Sequence, residues 1–270
     1  MKGVKKLEHY TLRFRWLGMV FDIPTMIMTV ITAVIVFLFL FFMTRRMHAG
    51  VPSGRQNVIE WVFDFVRGIA GNFMDAKTAT KFVTLGLTLF IYIFISNQLG
   101  VAFNITTHHT GQVSERVLDM LSVSGTPEAE EAKRAVIEEK LAAGEGVEIA
   151  WWKSPTATPS VTFALALCVL LYSHYIGIRK SFSGWFKHVF LNPIHILEEF
   201  IIKPLTLPLR LFGNIFAGEV LIGFLLAGGV FASIPLFLWE GYSVFVGSIQ
   251  AFIFLALSMV YISQQANDGH

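Results

Sequence analysis

A single arginine, Arg210, lies within one of the most apolar stretches of this 270-residue chain. Between Pro204 and Leu238 the only charged residues are Arg210 and Glu219. An arginine at the centre of a bilayer costs about 2.5 to 3.5 kcal/mol on insertion scales, and its guanidinium cannot lose a proton to avoid that cost. Such a charge indicates an ion pathway or a fixed counter-charge. The alternatives are a stabilising pair with an acid, or a side chain that reaches the headgroups, for which Arg210 lies too far inside its segment.

The composition indicates that lipid is the solvent for most of the chain. Hydrophobic residues make up 54% and charged residues 15%, which excludes a water-soluble enzyme of this length. The basic residues flank apolar segments and form no patch, so nucleic acid is not an expected partner. The sequence contains no phosphate-binding loop, and we expect no nucleotide site, no cofactor and no metal in this chain.

Apolar segments of spanning length predict an all-α integral membrane protein with about five transmembrane helices. The predicted spans are residues 24–43, 82–103 and 160–178, and two helices within 200–262. Gly228-Gly229 and Pro235 break this last region. Its two helices are longer than a minimal span, so we expect them to be tilted.

Three stretches are not predicted to span the membrane. Residues 57–76 carry charges at helical spacing with aromatics between them, which is typical of an amphipathic helix in the membrane interface. Residues 105–157 are polar, and the run E-A-E-E-A-K-R-A-V-I-E-E-K-L at 128–141 predicts a solvated helix. Residues 179–190 are predicted to form a basic, aromatic interfacial loop. We expect residues 1–270 to form one membrane domain.

The orientation follows only weakly from charge. Five spans place the N-terminal tail and the 105–157 segment on one side, and the 44–81 and 179–199 loops with the C-terminus on the other. Lysine and arginine are almost evenly shared between the two sides. The positive-inside rule leans slightly towards cytoplasmic loops, so we expect a multi-pass protein of the cell membrane with its N-terminus outside.

Helical geometry relates the polar residues of the Arg210 segment. At about 100° per residue, Glu199, Lys203, Arg210 and Asn214 share one stripe, unless Pro204 and Pro208 distort the register. Glu219 lies about 180° round the helix from Arg210 and about 13 Å along it, so it is no same-face partner. A plain i,i+4 ion pair at the membrane edge explains Glu199 and Lys203 as well as a channel role does.

The last apolar segment carries a second polar stripe. Ser243, Gln250 and Tyr261 lie within about 20° of one another on a helix. Ser243, Gly247 and Ala251 are small residues four apart, a pattern that lets another helix approach closely. For Asn214 and Gln250 an interhelical hydrogen bond and a transport role are compatible.

Several motifs resemble subunit a of the bacterial F-type ATP synthase. They are L-R-L-F-G-N at 209–214, A-G-E at 217–219, Q-A-F-I-F at 250–254, G-V-P-S-G-R-Q-N-V-I-E at 50–60, S-N-Q-L-G at 96–100, P-T-A at 155–157 and S-V-T-F-A-L-A-L at 160–167. Asp22, before the first span, also matches the family. The Arg210 motif and the Gln250 motif at this separation are very specific together, whereas P-T-A alone is weak.

The chain also departs from the family pattern. Thr158 and Ser160 stand where the family commonly has an acidic residue and an asparagine. Ser243 stands where some members have a histidine, with Glu240 one turn earlier. The partner of Glu219 therefore stays open.

The resemblance implies an ion-translocating stator subunit that supplies two proton half-channels against a rotating ring, with Arg210 as the charge between them. The implied partners are the proteolipid c-subunit ring, the b-subunit peripheral stalk, the other ATP synthase subunits and membrane lipid. ATP chemistry would then belong to partner subunits and not to this chain. The implied proton-translocation residues are Arg210, Asn214, Glu219, Gln250, Glu199, Asn97, Asp22, Ser243 and Glu240.

Two other classes of function compete with this interpretation. A secondary transporter can also place an arginine and a glutamate at the midplane to bind an anionic substrate, but the sequence has no corresponding pair of broken helices in two halves. A non-transporting scaffold explains the interfacial helix and the small-residue stripe, but it does not explain Arg210.

Overall fold

The protein is built from helices, five of which are long and apolar enough to cross a membrane. The computed structural model describes residues 9–103, 105–111 and 113–267; the side chains of His9, His188, Glu219, Leu226, Ala227, Val230 and Asn267 are outside the description. The helices are α1 (Ile23–Thr44), α2 (Arg55–Gly71), α3 (Ala76–Ala102), α4 (Glu115–Ser122), α5 (Pro127–Ala142), α6 (Pro159–Lys180), α7 (Phe182–Phe190), α8 (Pro193–Leu197), α9 (Lys203–Ala227) and α10 (Ser233–Asn267). The candidate spans are α1, α3, α6, α8 continued by α9, and α10, so the predicted fold class is confirmed.

Aspartate caps start the first two spans. Asp22 Oδ1 accepts a hydrogen bond from the Thr25 amide at 3.1 Å, and Asp75 Oδ1 accepts from the amides of Lys77 and Thr78 at 3.0 Å each. Each cap satisfies amides that have no partner within the first helical turn. The cap at Asp75 lies ahead of the apolar run, so α3 begins at Ala76 and not at the predicted residue 82.

The core of the helical layer lies between α3, α6, α9 and α10. Its buried side chains are Leu89, Ile93, Ala166, Val169, Leu170, Leu207, Leu211, Ala251, Phe254 and Tyr261. Close contact at Gly86 brings α3 against α2 and α10, since a Cβ there would lie 2.9 Å from Leu255 and 3.0 Å from Met259 and Val66. Only glycine permits that approach, which fixes the position of α10 relative to α3.

Helix α2 is amphipathic, as its sequence predicts. Ile59, Val66 and Ile69 are buried, and Val66 and Ile69 belong to the cluster shared with α3 and α10. On the opposite face Trp61 is exposed, and Arg67 pairs with Asp64 at 3.1 Å. The helix therefore lies with its apolar face against the spanning helices.

The fourth span is interrupted before it reaches Arg210. Residues Glu198–Ile202 form a π turn between α8 and α9, in which the Lys203 amide donates to the Glu198 carbonyl. Pro208 lies inside α9 and lacks an amide hydrogen to donate. Single π turns of this kind occur frequently at functional sites.

The break between the last two spans is made by glycine. Gly229 has φ +62°, a left-handed conformation that favours glycine, and Gly229–Ala232 form a short 3-10 turn. Helix α10 then begins at Ser233. Pro235 therefore lies in the first turn of α10, where its missing amide hydrogen breaks no helical bond, and it is not part of the break itself.

The polar segment folds with the N-terminal strands into a layer of its own. The strands are β1 (His9–Tyr10), β2 (Arg13–Trp16), β3 (Met19–Asp22), β4 (Thr106–His109) and β5 (Val147–Ala150). Strand β5 lies between β1, which is parallel to it, and β4, which is antiparallel; β2 and β3 form a hairpin. Leu121 and Ile137 of α4 and α5 are fully buried against this sheet. The solvated helix predicted at 128–141 is confirmed as α5.

The prediction of a loop at 179–190 is wrong, because residues Phe182–Phe190 form α7. Ser181 caps this helix by accepting a hydrogen bond from the Gly184 amide at 3.1 Å. Phe182, Phe186 and Phe190 lie four residues apart, and their successive rings are in contact, with centroids 6.2 and 4.9 Å apart. The basic residues around them suggested a loop, but the cap and the aromatic spacing favour a helix.

Candidate functional site

Arg210 lies on an open face of α9. Its side chain is exposed, whereas Leu207 and Leu211 on the neighbouring face are buried. Among the side chains that the structure describes, no carboxylate forms an ion pair with the guanidinium. The backbone carbonyl of Arg210 accepts a hydrogen bond from Gln250 Nε2 at 3.1 Å. Gln250 therefore fixes the helical turn that carries the arginine, and the described part of the chain leaves the guanidinium exposed.

A cavity of about 370 Å³ lies beside this turn, between α3, α9 and α10. Four predicted residues contribute to its lining: Asn97, Asn214, Ser243 and Gln250. The remaining lining is formed by apolar side chains, glycines and an alanine from the same helices, together with Trp239 and Tyr242. A cavity of this size with several polar groups has room for several water molecules.

Ser243 is the side chain that most clearly requires water. Its Oγ is buried and has no hydrogen-bond partner among the described residues. A hydroxyl buried without a partner is costly, and a water in the adjoining cavity can satisfy it. This serine occupies the position at which some members of the resembled family carry a histidine.

Asn97 is tied into a buried polar cluster at the edge of the cavity. Its Nδ2 donates to the Gly247 carbonyl at 2.8 Å, and its Oδ1 accepts from Thr156 Oγ1 at 2.6 Å. Ser154 Oγ lies 2.7 Å from Thr156 Oγ1 and donates to the Ser96 carbonyl at 3.1 Å. The cluster joins three elements: α3, α10 and the turn that precedes α6.

The residues Ser154 and Thr156 are absent from the predicted site. Thr156 belongs to the P-T-A motif, which was the available signal, but a single motif does not indicate what its threonine contacts. The small-residue stripe of α10 has the predicted effect: a Cβ on Gly247 would lie 3.1 Å from Asn97 Cβ, and Ala251 is fully buried. The helix that approaches it is α3.

Glu199 and Lys203, which precede Arg210 in the sequence, form a second polar site. Lys203 Nζ donates to Glu199 Oε1 at 2.5 Å, and both side chains are less than 5% exposed. The i,i+4 pair therefore exists, and it is buried where α6 and α10 pack against the fourth span. Because Arg210 and Asn214 are exposed, the predicted stripe is divided into a buried part and an exposed part.

Asp22 and Glu240 lie outside the cavity lining. Asp22 Oδ2 accepts from Thr11 Oγ1 at 2.6 Å and pairs with Arg13 at 3.3 Å. Burial raises the pKa of Asp22, but the hydrogen bonds from Thr11 and Thr25 outweigh it and hold the pKa below its ordinary value. Glu240 is half-buried near the start of α10. The backbone of Glu219 lies in α9, and its side chain is outside the described part of the structure.

The fold and the site define a class of protein: a multi-pass helical membrane protein in which a cavity with four polar lining residues lies beside the turn of an exposed arginine that no described carboxylate pairs with. The sequence model of the family described as ATP synthase A chain matches residues 26–263. The ATP synthase subunit a of Priestia megaterium is 40% identical over 98% of this chain and 100% of that protein. The Anoxybacillus flavithermus protein of the same name is 39% identical over 98% and 100% of the two chains. The chain belongs to the ATP synthase A chain family, and the resemblance of its motifs is confirmed.

Proposed function

We propose that this chain is the ion-translocating stator subunit of a rotary F-type ATP synthase, and that Arg210 separates two half-channels. The observation that carries the proposal is the placement of Arg210. Its guanidinium is exposed and unpaired among the described side chains; a cavity with four polar lining residues lies beside its helical turn, and a buried ionic cluster precedes it in the same span. Membership of the ATP synthase A chain family supports proton transport as the function of this site.

The partner of Arg210 is a membrane-buried carboxylate on a ring of c subunits. A carboxylate in lipid is costly when ionised and stays protonated unless a positive charge is near. Arg210 supplies that charge at one point of the ring's path, so the carboxylate loses its proton there. A guanidinium does not titrate, and its fixed charge repels protons that would otherwise leak between the half-channels.

Each half-channel has its own polar residues. The cavity with Asn97, Asn214, Ser243 and Gln250 supports the half-channel on the N-terminal side of the membrane, which Glu219 would also line. Glu199 supports the second half-channel. Moving one charge through the potential yields about 2.3 kcal/mol per 100 mV, which drives rotation only if the two paths stay separate. Asp22 and Glu240 are proposed as contributors nearer the surfaces.

The open face of α9 supports docking of the ring at this helix. Gly213, three residues after Arg210, has no described atom beyond its own helical turn within 4 Å of a built Cβ. Glycines let a neighbouring helix approach closely in lipid. We propose further that the b-subunit stalk and the other ATP synthase subunits complete the complex, and that this multi-pass membrane protein lies in the cell membrane with its N-terminus outside and its C-terminus in the cytoplasm.

The alternative of a secondary transporter with a midplane Arg/Glu site is not favoured. The family of the chain is that of ATP synthase subunits, whereas the alternative rests on fold-level analogy alone.

Substitution of Arg210 tests the proposal. Arg210→Ala is expected to abolish ATP-driven proton pumping by the reconstituted complex, because the ring carboxylate loses its only fixed counter-charge. Arg210→Lys is expected to fail as well, since a compact, titratable ammonium does not replace a fixed planar charge. Quench of a pH-sensitive dye in proteoliposomes measures pumping, and co-purification of the subunits checks assembly. Parental pumping by an assembled Arg210→Lys complex would contradict the fixed-charge argument.

A further inference from the structure

A buried polar cluster lies where α6, α9 and α10 meet. Its side chains are His174 on α6, Glu199 in the π turn, Lys203 at the start of α9, and Gln264 and Gln265 on α10. Glu199 is 4% exposed and Lys203 is 3% exposed. Charged groups at this depth are costly unless they are paired, so their arrangement decides what the cluster can do.

The two carboxylate oxygens of Glu199 have different surroundings. Oε1 accepts from Lys203 Nζ at 2.5 Å and from Gln265 Nε2 at 3.4 Å. Oε2 faces His174 Nε2 at 3.7 Å, which is longer than a hydrogen bond. Among the described residues no donor lies within hydrogen-bond distance of Oε2. Of the two carboxylate oxygens of Glu199, Oε2 is therefore the one that can accept a proton.

Trp185 determines which nitrogen of His174 carries the hydrogen. The indole of tryptophan only donates, and Trp185 Nε1 donates to His174 Nδ1 at 3.2 Å. Because Nδ1 accepts, a neutral imidazole carries its hydrogen on Nε2, which faces Glu199. Stacking against Phe200 at 6.1 Å and an edge contact with Trp185 at 5.9 Å hold the ring in this position.

The net charge of the groups around Oε2 favours the uptake of one proton. The described charged and titratable side chains of the cluster are Glu198, Glu199 and Lys203 of the fourth span, His174 of α6 and Tyr261 of α10. Lys203 lies 3.5 Å from Glu198 and over the ring of Tyr261 at 5.2 Å. One ammonium faces two carboxylates, so uptake of a proton brings the group to neutrality and buries no net positive charge.

We propose that Glu199 Oε2 is the proton-binding atom of the second half-channel, and that His174 is a positioning residue that keeps this oxygen ionised between protons. The inference rests on the proposed function. A proton leaves the ring carboxylate, which becomes ionised, and binds Oε2, which becomes neutral; it then passes to water, and Glu199 is ionised again. While the proton is bound, its O–H faces the Nε2–H of His174, so the proton is released readily.

The test measures passive proton conductance of the reconstituted membrane sector under a K⁺ diffusion potential, as a function of pH. Conductance through a carboxylate falls on the acid side, where Oε2 stays protonated. His174→Leu removes the Nε2–H that faces Oε2, and we expect the acid-side fall in conductance to begin at a higher pH than in the parent. His174→Gln supplies an amide N–H at the same reach, and it should restore the parental profile.

His48→Leu is the matched control, because His48 is a histidine in the loop after α1 and outside the cluster. It should leave the profile unchanged. A parental profile in an assembled His174→Leu complex would overturn the inference, as would a His174→Gln profile equal to that of His174→Leu. Arg210→Ala is measured alongside: if it conducts and pumps like the parent, the proposed function fails, whereas an inactive Arg210→Ala with an unshifted His174→Leu refutes this inference alone.

Discussion

Gln250 acts on the backbone of Arg210 and not on its guanidinium. The amide donates to the Arg210 carbonyl at 3.1 Å, while its side chain also lines the cavity. The predicted interhelical hydrogen bond is present and Gln250 also lines the cavity, whereas its role in transport stays a prediction. Loss of the amide would free the turn that carries the arginine and would remove a polar group from the cavity wall.

Gln250→Leu is expected to lower passive proton conductance by about three- to tenfold, which corresponds to about 0.6 to 1.4 kcal/mol and lies within the range of interhelical bonds in membranes. Gln98→Leu is the matched control: Gln98 donates across helices to the Val244 carbonyl at 3.2 Å but does not line the cavity. Equal conductance in the two variants would make Gln250 a packing residue.

The elements that position the site are held by close contacts at glycines. Gly100 at the end of α3 lies against Ser154, and a Cβ built on Gly100 would lie 2.4 Å from Ser154 Cβ. This approach brings Asn97, one turn earlier on α3, within reach of Thr156. The turn before α6 and the end of α3 thus form one unit with the cavity wall on α10.

Gly100→Ala is expected to lower stability by about 1 to 3 kcal/mol, the usual cost of overpacking, because backbone and Ser154 must both shift. Thermal unfolding of the purified complex in detergent, followed by loss of this subunit, measures the effect. Gly68→Ala on α2 is the control, since nothing lies within 4 Å of its built Cβ, and it should be neutral or slightly stabilising. A Gly100→Ala complex as stable as the Gly68→Ala complex would refute the close-contact argument.

The whole molecule has two layers, a bundle of spanning helices and a polar layer of short strands with α4 and α5. Arg134 of α5 pairs with Glu115 at 2.7 Å and with Asp119 at 2.6 Å, which ties the two polar helices together. Because β3 ends at Asp22 and α1 begins at Ile23, this layer lies at one end of the bundle. Three candidate spans, α1, α3 and α6, separate this layer from the loop between α7 and α8, so we place that loop at the opposite end of the bundle.

Cysteine labelling tests this orientation in intact cells. Leu17 in the β2–β3 hairpin is 77% exposed and Leu191 after α7 is 82% exposed. In a Cys168→Ser background, needed because Cys168 is itself exposed, Leu17→Cys should react with an impermeant thiol reagent, and Leu191→Cys should react only after permeabilisation. Reaction of both from the same side would contradict the five-span topology, and reversed sides would contradict the proposed orientation.

The sequence alone determined the membrane class, the number and approximate positions of the spans, and four polar residues of the cavity. Apolar runs must satisfy their backbone hydrogen bonds internally in lipid, which restricts them to helices and makes hydropathy a sufficient guide. The Arg210 and Gln250 motifs predict a transport site around these two residues. Asn97, Asn214, Ser243 and Gln250, predicted from separate segments, line one cavity in the structure.

Only the tertiary structure decided which of these groups are buried, paired or exposed. Helical periodicity relates residues on one helix, but contacts between helices depend on how their faces pack. His174 and Glu199 are 25 positions apart, and no periodicity predicts that an imidazole faces one carboxylate oxygen while Lys203 holds the other. The same reason separates the buried Lys203 from the exposed Arg210: both lie on α9, but α6 and α10 cover only the first, because packing and not position along the helix sets the environment of a charge.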